Sequence, residues 1–296
     1  EPLVKALIEA GADVNNASDV FLFGANVNKE DRRRPTPLII AARKGSVEII
    51  KMLIEAGADV NKERDDSETP LNIAAAEGHG AAVKALLQAG ADVNKANNAG
   101  KTPLIIAAQE GHGTVVMALI EAGADVNKAD NDGWTPLYRA VDNGNEAMSL
   151  ALIKAGADVN KAPDSSISAG QTPLYRAAEE GHEAVVKELV EAGADVNKAV
   201  MAYHGDGATP LYVATDEGHV AVVKALLEAG ADVNQANRYG NGLLIAAKEH
   251  PTVFKALIEA GVDVNEANKY SRTPLHSAAS YGGESVVETL IEAGAG

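Results

Sequence analysis

The stretch TPLIIAAQEGHGTVVMALIEAGADVN, residues 102–127, decides the fold. It opens with Thr102 and Pro103, the residue types favoured at the cap and at the first position of a helix. Leu, Ile and Ala then form a short helical segment, which Gly111 is expected to end in a left-handed conformation. A second segment carries apolar residues at i, i+4 spacing and stops at Gly123. The stretch therefore predicts two short helices followed by a polar finger.

The same pattern recurs along almost the whole chain. Thr-Pro-Leu begins at Thr36, Thr69, Thr102, Thr135, Thr172, Thr209 and Thr273. Gly-Ala-Asp-Val-Asn begins at Gly11, Gly57, Gly90, Gly123, Gly156, Gly193 and Gly230, with variants at Gly24 and Gly261. Since one helix pair cannot bury its apolar face alone, neighbouring units must stack on each other.

The shared pattern TPLxxAAxxGHxxVVxxLIxAGADVN resembles the ankyrin repeat, from about residue 24 to the end of the chain. The resemblance implies an all-α, ankyrin-type helix-turn-helix repeat solenoid with protruding β-turn fingers. It also implies that a partner binds on the concave face that the fingers and the first helices form. Family members bind unrelated molecules on the same architecture, so the pattern does not name the partner.

We expect a single array over residues 1–296, with an irregular partial repeat at 1–23 and about eight repeats at 24–296. The interval between Gly11 and Gly24 is too short for a repeat, so either a segment is missing there or the first repeat packs irregularly. Two adjacent fingers, 161–171 and 198–208, are four residues longer than the others. Neither end shows a polar capping repeat, which indicates a piece of a longer array or one joined to other domains.

The repeat near residues 237–251 departs most from the pattern. Asn241-Gly242-Leu243 stands where the other repeats have Thr-Pro-Leu, which leaves the finger one residue short and places Asn241 at the helix cap. Lys248-Glu249-His250-Pro251 replaces the usual glycine between the helices. We expect a local kink or soft joint at this repeat.

Composition and motifs argue against several classes of function. The net charge of −16 disfavours nucleic acid and anionic membranes, and no apolar run is long enough to span a membrane. The chain has no Cys, which excludes thiolate chemistry and fits a reducing compartment, so we expect a cytoplasmic protein. There is no Walker loop, G-x-S-x-G or H-E-x-x-H motif. We expect no enzyme activity, cofactor or metal, and a monomer.

Three polar motifs are more typical of structure than of chemistry. His79, His112, His182 and His219 follow the glycine between helices and recur because the turn recurs. Asp130-Asn131-Asp132-Gly133 lacks the first and last ligands of a calcium loop and predicts a polar turn. Arg32-Arg33-Arg34 forms either a solvated face or an anchor for an acidic peptide or phosphate.

The large polar aromatic residues are the strongest functional signal, because they lie in fingers or first helices and Trp, Tyr and Arg are enriched in interface hot spots. The candidate partner-binding residues are Asp132, Trp134, Tyr138, Arg139, Asp142, Tyr175, Arg176, Glu179, Tyr203, His204, Tyr212, Asp216, Tyr239 and Tyr270.

Several of these candidates have a structural alternative. Tyr138, Tyr175 and Tyr212 share one repeat position, so they either form a packed ladder between repeats or contact a partner. Arg139 and Arg176 are either helix-surface residues or contacts. For Trp134 contact is favoured, since other repeats carry residues typical of solvent at its position, such as Glu68, Lys101, Gln171 and Arg272.

The preferred site is the groove around residues 131–217, which we expect to be acidic because of Asp142, Glu179, Glu180, Asp216 and Glu217. Its complement is a protein or peptide with Lys or Arg around an apolar anchor. The sequence thus favours a protein–protein interaction scaffold. The alternatives are a targeting module of a larger effector or signalling enzyme, and an engineered repeat scaffold.

Overall fold

The computed structural model describes residues 2–9, 35–164, 170–200, 207–281 and 283–296. Its α-helices, in chain order, are α1 (Pro2–Glu9), α2 (Pro37–Arg43), α3 (Val47–Glu55), α4 (Pro70–Ala76), α5 (Gly80–Gln88), α6 (Pro103–Gln109), α7 (Gly113–Glu121), α8 (Pro136–Asp142), α9 (Glu146–Lys154), α10 (Pro173–Glu179), α11 (Glu183–Glu191), α12 (Pro210–Asp216), α13 (Val220–Glu228), α14 (Leu243–Ala246), α15 (Pro251–Glu259), α16 (Pro274–Tyr281) and α17 (Glu284–Glu292). From α2 onward, each even-numbered helix is the first of a repeat and the next odd-numbered helix is the second.

The chain forms two compact units, residues 1–139 and 140–296. In the first unit, α4 packs between α2 and α6, and α5 packs between α3 and α7. In the second unit, the first helices α10, α12, α14 and α16 pack in order, and so do the second helices from α9 to α17. Each unit is therefore built of two parallel rows of helices, one of first helices and one of second helices.

Small apolar side chains fill the space between neighbouring repeats. Ala107 and Ala108 of α6 are fully buried, as are Val115, Val116 and Leu119 of α7. Alanine on the first helix allows close approach of the adjacent helices, and the buried Val and Leu of the second helix add apolar area to the same core. This packing accounts for a chain that is 46% hydrophobic but only 4% aromatic.

The caps of the first helices follow the sequence prediction. The Thr102 hydroxyl accepts a hydrogen bond from the backbone N–H of Ile105 at 3.2 Å, and Pro103 occupies the first helical turn. Gly111 and Gly123 have φ of +79° and +82°, the left-handed region that ends a helix. The same threonine cap recurs at Thr36, Thr69, Thr135, Thr172 and Thr209.

Two ladders of side-chain hydrogen bonds link successive repeats. Nε2 of His112 lies 2.9 Å from the carbonyl oxygen of Ala76, and Nε2 of His250 lies 2.8 Å from that of Asp216. In the fingers, Oδ1 of Asn94 accepts from the N–H of Asp125 at 2.8 Å. His79, His112, His219 and His250 thus bind the end of the preceding first helix. The recurrence of the turn indicated a structural use of such histidines but not this contact.

The irregular repeat differs from the sequence prediction in its register. Asn237 N–H donates to the carbonyl of Asn241 at 3.1 Å, as Asn97 N–H donates to that of Lys101 at 3.0 Å in a regular repeat. Asn241 therefore occupies the position before the cap, and Gly242 is the cap residue, without a side-chain hydrogen bond. The prediction that Asn241 caps this helix and that the finger is one residue short was wrong.

The residues missing from this repeat come from its first helix. From Thr102 to His112 is ten positions, whereas from Gly242 to His250 is eight. The helix α14 accordingly has four residues and continues into a 3₁₀ turn at Ala247–Glu249. The ladder histidine, His250, is nevertheless retained. The irregularity is thus a shortened first helix rather than a shortened finger.

Candidate functional site

Trp134 lies at the base of its finger in the first unit and is partly exposed. Its ring meets Tyr138 edge to face, with centroids 4.8 Å apart and an interplanar angle of 70°. The guanidinium of Arg139 lies over the same ring, 4.2 Å from its centroid, a cation–π geometry. Three of the predicted site residues therefore form one cluster, and the neighbouring Asp132 is exposed.

Asp130 holds this cluster in place, a role that the sequence prediction of a simple polar turn did not assign. Its Oδ1 accepts hydrogen bonds from the N–H groups of Trp134 at 2.9 Å and Asp132 at 3.1 Å. Its Oδ2 lies 3.5 Å from Nη2 of Arg139, and its side chain is only 2% exposed. The carboxylate thus orients both the finger and the guanidinium that covers the Trp134 ring.

Tyr138 and Tyr175 are buried, with 1% and 3% of their surfaces exposed, whereas Tyr212 at the same repeat position is partly exposed. Rings with so little accessible surface offer almost no contact area to a partner. The burial favours the packed alternative for Tyr138 and Tyr175, in which they support neighbouring residues from beneath. The partial exposure of Tyr212 does not decide between the two alternatives.

Arg176 in the second unit is surrounded by carboxylates. Its Nε donates to Asp142 at 2.8 Å, its Nη1 to Glu179 at 2.5 Å, and its Nη2 pairs with Glu180 at 2.8 Å. Burial disfavours its charge, but the three carboxylates outweigh burial and raise the pKa of the guanidinium. Arg176 therefore organises the acidic residues and is not an exposed anchor.

The carboxylates of this region extend to the next first helix. Burial raises the pKa of the Tyr175 hydroxyl far above its usual range, and the negative charges of Glu179, Asp216 and Glu217 raise it further. We refer to the five carboxylates at the ends of α8, α10 and α12 as the acidic strip, which consists of Asp142, Glu179, Glu180, Asp216 and Glu217. Three of these five carboxylates pair with the one guanidinium of Arg176, so the strip keeps a net negative charge.

An open pocket of about 610 Å³ lies farther along the second unit. Three successive repeats contribute to it, with residues from α12, α14 and α16 and from two fingers. It brings together four of the predicted site residues, although the sequence did not indicate a pocket there. We refer to it as the tyrosine pocket, and the lining residues that matter here are Tyr212, Asp216, Tyr239, Lys248, Tyr270 and Arg272.

Cations lie against the rings of the tyrosine pocket. Nζ of Lys269 is 4.6 Å from the ring centroid of Tyr239 and 5.2 Å from that of Tyr270. The guanidinium of Arg238 lies 4.8 Å from the Tyr239 centroid. Tyr270 is 64% exposed. Its ring and the cations around it are therefore accessible to a partner.

Some predicted features lie outside the described residues. These are Tyr203 and His204, the short interval between Gly11 and Gly24, the run Arg32–Arg34, and parts of both long fingers, at 165–169 and 201–206. Within the described ranges, no group of three His, Asp or Glu side chains is placed to hold a metal ion. In the same ranges, no helix has the length and apolar character needed to cross a membrane.

Comparison with known proteins assigns the family. The family model described as ankyrin repeats (3 copies) matches residues 1–97, 83–163, 160–237 and 235–296, so the chain belongs to the ankyrin repeat family. The crystal structure of the human ASB11 ankyrin repeat domain is similar, with a TM-score of 0.62 and 29% sequence identity, and the match covers 76% of this chain and 98% of that one. A comparison with curated proteins gave no match.

These matches confirm the expected all-α, ankyrin-type repeat fold. Ankyrin repeats are generally protein–protein interaction modules, and their domains are typically non-catalytic binding scaffolds. The family sets the class of function, and the residues of the two units must account for any particular partner.

Proposed function

We propose that this chain is a scaffold that binds a partner protein or peptide on the surface of its first helices and fingers. The observation that carries the proposal is the acidic strip, in which carboxylates recur at the ends of consecutive first helices. Asp216 belongs both to the strip and to the lining of the tyrosine pocket, so charged and aromatic surfaces adjoin there. Lys or Arg residues around an apolar anchor are the natural complement.

The predicted residues take different parts in this proposal. Asp142 and Glu179 form the strip with Arg176 as their organiser, and Tyr175 supports it from beneath. Tyr212, Asp216, Tyr239 and Tyr270 offer side-chain surface at the tyrosine pocket. The Trp134 cluster is a second proposed contact region, with Asp132 and Arg139 beside the ring and Tyr138 below it. Tyr203 and His204 are proposed contacts on a long finger.

The proposal treats the chain as one array over residues 1–296 that acts as a monomer in the cytoplasm. The lack of Cys supports a reducing compartment. Ankyrin-type helix layers are about 8–10 Å apart, so an extended peptide of about 12 residues, roughly 40 Å long, can cross several repeats. A peptide of this length is therefore a suitable probe for the surface.

The test is a display selection from a library of random peptides of about 12 residues, with the chain immobilised. We expect the enriched peptides to carry Lys or Arg near a large apolar residue. The double variant Asp216→Asn with Glu217→Gln removes two charges of the strip and should abolish the enrichment of basic residues, because both side chains are exposed and neither pairs with Arg176.

A matched control removes two exposed carboxylates from second helices. Glu191→Gln with Glu228→Gln changes the net charge by the same amount at the ends of α11 and α13. This control should enrich the same peptides as the parent chain. If the parent enriches no peptides, the proposal is wrong. If the control loses the peptides as the strip variant does, general charge attraction explains the binding better than a defined surface, and the proposal is also wrong.

A further inference from the structure

The tyrosine pocket differs in charge from the acidic strip beside it. Lys248 and Arg272 line the pocket, and Lys269 and Arg238 lie against its rings. Glu249 pairs with Lys248 at 3.6 Å and Asp216 lines the pocket, so four cations stand beside two carboxylates. The chain as a whole has 26 basic and 42 acidic residues, so this is a local reversal of its charge. Among the six lining residues defined above, Asp216 is the only carboxylate, and it lies on the side that belongs to the strip.

The position of Lys248 shows how the reversal arises in the repeat pattern. The residue two positions before the ladder histidine is acidic in four repeats and marks the end of their first helices: Glu77, Glu110, Glu180 and Glu217. Lys248 stands at that position before His250. Because the interval from the cap to the ladder histidine is two residues shorter here than in a regular repeat, Lys248 lies in the 3₁₀ turn, and it lines the pocket.

Arg272 comes from the opposite wall. It is the residue before the cap of α16, at the base of a finger, and it is exposed. Its backbone is fixed, since its N–H donates to Oδ1 of Asn268 at 3.0 Å and its carbonyl accepts from the Asn268 N–H at 2.9 Å. Lys248 and Arg272 thus approach the same space from a helix end and from a finger.

The tyrosines give this space a defined shape. Tyr239 and Tyr270 occupy equivalent positions in two consecutive fingers, each two residues after an Asn. The N–H of Tyr239 donates to Oδ1 of Asn237 at 3.0 Å, and the N–H of Tyr270 donates to Oδ1 of Asn268 at 2.9 Å. Lys269 is placed between the two rings by cation–π contact. A volume of about 610 Å³ is enough for one or two side chains of a peptide and too small for a folded domain.

We infer that the tyrosine pocket binds an acidic side chain, Asp or Glu, of the same partner peptide whose basic residues lie on the acidic strip. The inference rests on the proposed function and adds that the partner peptide carries an acidic residue beside its basic residues. A carboxylate in the pocket meets Arg272 and Lys248, while the methylene groups of Glu pack on Tyr239 and Tyr270. The partner motif is therefore bipartite, with basic residues next to an acidic residue.

The test repeats the peptide selection with a variant of the pocket, Lys248→Ala with Arg272→Ala. On the parent chain, enriched peptides should carry Asp or Glu at a fixed distance from their basic residues. On the pocket variant, the acidic preference should disappear while the basic preference stays. Lys224→Ala with Lys255→Ala, which removes two exposed cations from α13 and α15, is the matched control and should behave as the parent does.

Affinities measured by fluorescence anisotropy make the coupling quantitative. Replacing the acidic residue of an enriched peptide by its amide should weaken binding to the parent about tenfold, and to the pocket variant less than about twofold. The conservative variant Arg272→Lys should bind the peptide with nearly the affinity of the parent, because it keeps the positive charge. Circular dichroism confirms that each variant is folded.

The outcomes separate this inference from the proposed function. Peptides that depend on Asp216 and Glu217 but show no acidic preference leave the proposed function intact and overturn the inference. An acidic preference that survives in the pocket variant places the acidic side chain elsewhere and also overturns it. If the parent chain enriches no peptides at all, both proposals are wrong.

Discussion

The ladder histidines pack against the glycine that separates the two helices of the preceding repeat. Gly218 has φ of +80°, and a Cβ built on it lies 2.7 Å from Cε1 of His250. Gly78 and Gly181 face the ladder histidines His112 and His219 in the same way. Where the next repeat carries a ladder histidine, the glycine between the helices therefore has two functions, since it adopts a left-handed conformation and leaves room for that imidazole.

We expect Gly218→Ala to lower the free energy of unfolding more than Gly230→Ala. Gly230 has nearly the same φ, +81°, but a Cβ there meets no atom within 4 Å. The conformational cost is about 1–2 kcal/mol at both positions, and the contact with His250 adds about 1–3 kcal/mol at Gly218 alone. Urea denaturation of both variants measures the difference.

A double-mutant cycle tests the cause. In a His250→Ala background, the two glycine variants should become nearly equal, because the imidazole no longer occupies the space. Equal effects in the parent background, or an unchanged difference without His250, would show that the imidazole contact is not the reason.

At the scale of single elements, the sequence predicted the regular repeats well and the irregular one less well. Thr102 with Pro103 marks a helix start without ambiguity, and Gly111 marks its end. Asn241 and Gly242 are both favoured at a cap, so the sequence alone could not decide which of them starts α14. The hydrogen bond from Asn237 to the Asn241 carbonyl decides it, and this contact depends on how the finger folds.

The candidate site was predictable only in part, for a similar reason. The sequence grouped the five carboxylates of the strip in one groove, but it did not indicate that three of them bind the guanidinium of Arg176, since Asp142 is 34 positions away. It singled out Tyr212, Tyr239 and Tyr270 separately. Their common pocket arises from three stacked repeats and from the shortened α14, and neither is visible in the pattern of one repeat.

The cap of α14 gives a prediction at the same scale. Gly242 has φ of −76° and ψ of 175°, which any residue can adopt, and it offers no side-chain acceptor. Gly242→Thr should stabilise the protein by a few tenths of a kcal/mol, and Gly242→Ala should be about 1 kcal/mol less stable than the Thr variant. Thermal or urea unfolding of the three proteins gives the order of their stabilities.

The one steric obstacle to these substitutions is flexible. A Cβ on Gly242 lies 2.9 Å from Oε2 of Glu266, the far end of a side chain that can move aside. Combining each substitution with Glu266→Ala removes the contact and serves as the control. A Thr variant no more stable than the Ala variant in that background would show that α14 gains nothing from a side-chain cap.

At the scale of the whole molecule, net charge is expected to affect stability, because the layers of Ala, Val and Leu between the repeats are thin. The chain carries 42 acidic and 26 basic residues, and the acidic strip concentrates five of the acidic ones. Exposed ion pairs such as Lys187 with Glu183, at 2.6 Å, contribute little to stability because solvent screens them. Because the net charge is −16, we expect repulsion between carboxylates to outweigh the surface pairs and to oppose the compact state.

We therefore expect the melting temperature to rise when salt is added at constant pH. At about 0.1 M salt the Debye length falls to about 10 Å, so repulsion between distant carboxylates is screened more than any close pair is weakened. For domains of this size, each kcal/mol of repulsion removed corresponds to roughly 2–4 °C, and circular dichroism melts in low and moderate NaCl measure the shift. Glu191→Lys with Glu228→Lys reduces the net negative charge by four at exposed sites on second helices and should make the shift smaller. A melting temperature that stays constant or falls with salt would mean that local ion pairs, such as those of Arg176, outweigh the net charge in stabilising the fold.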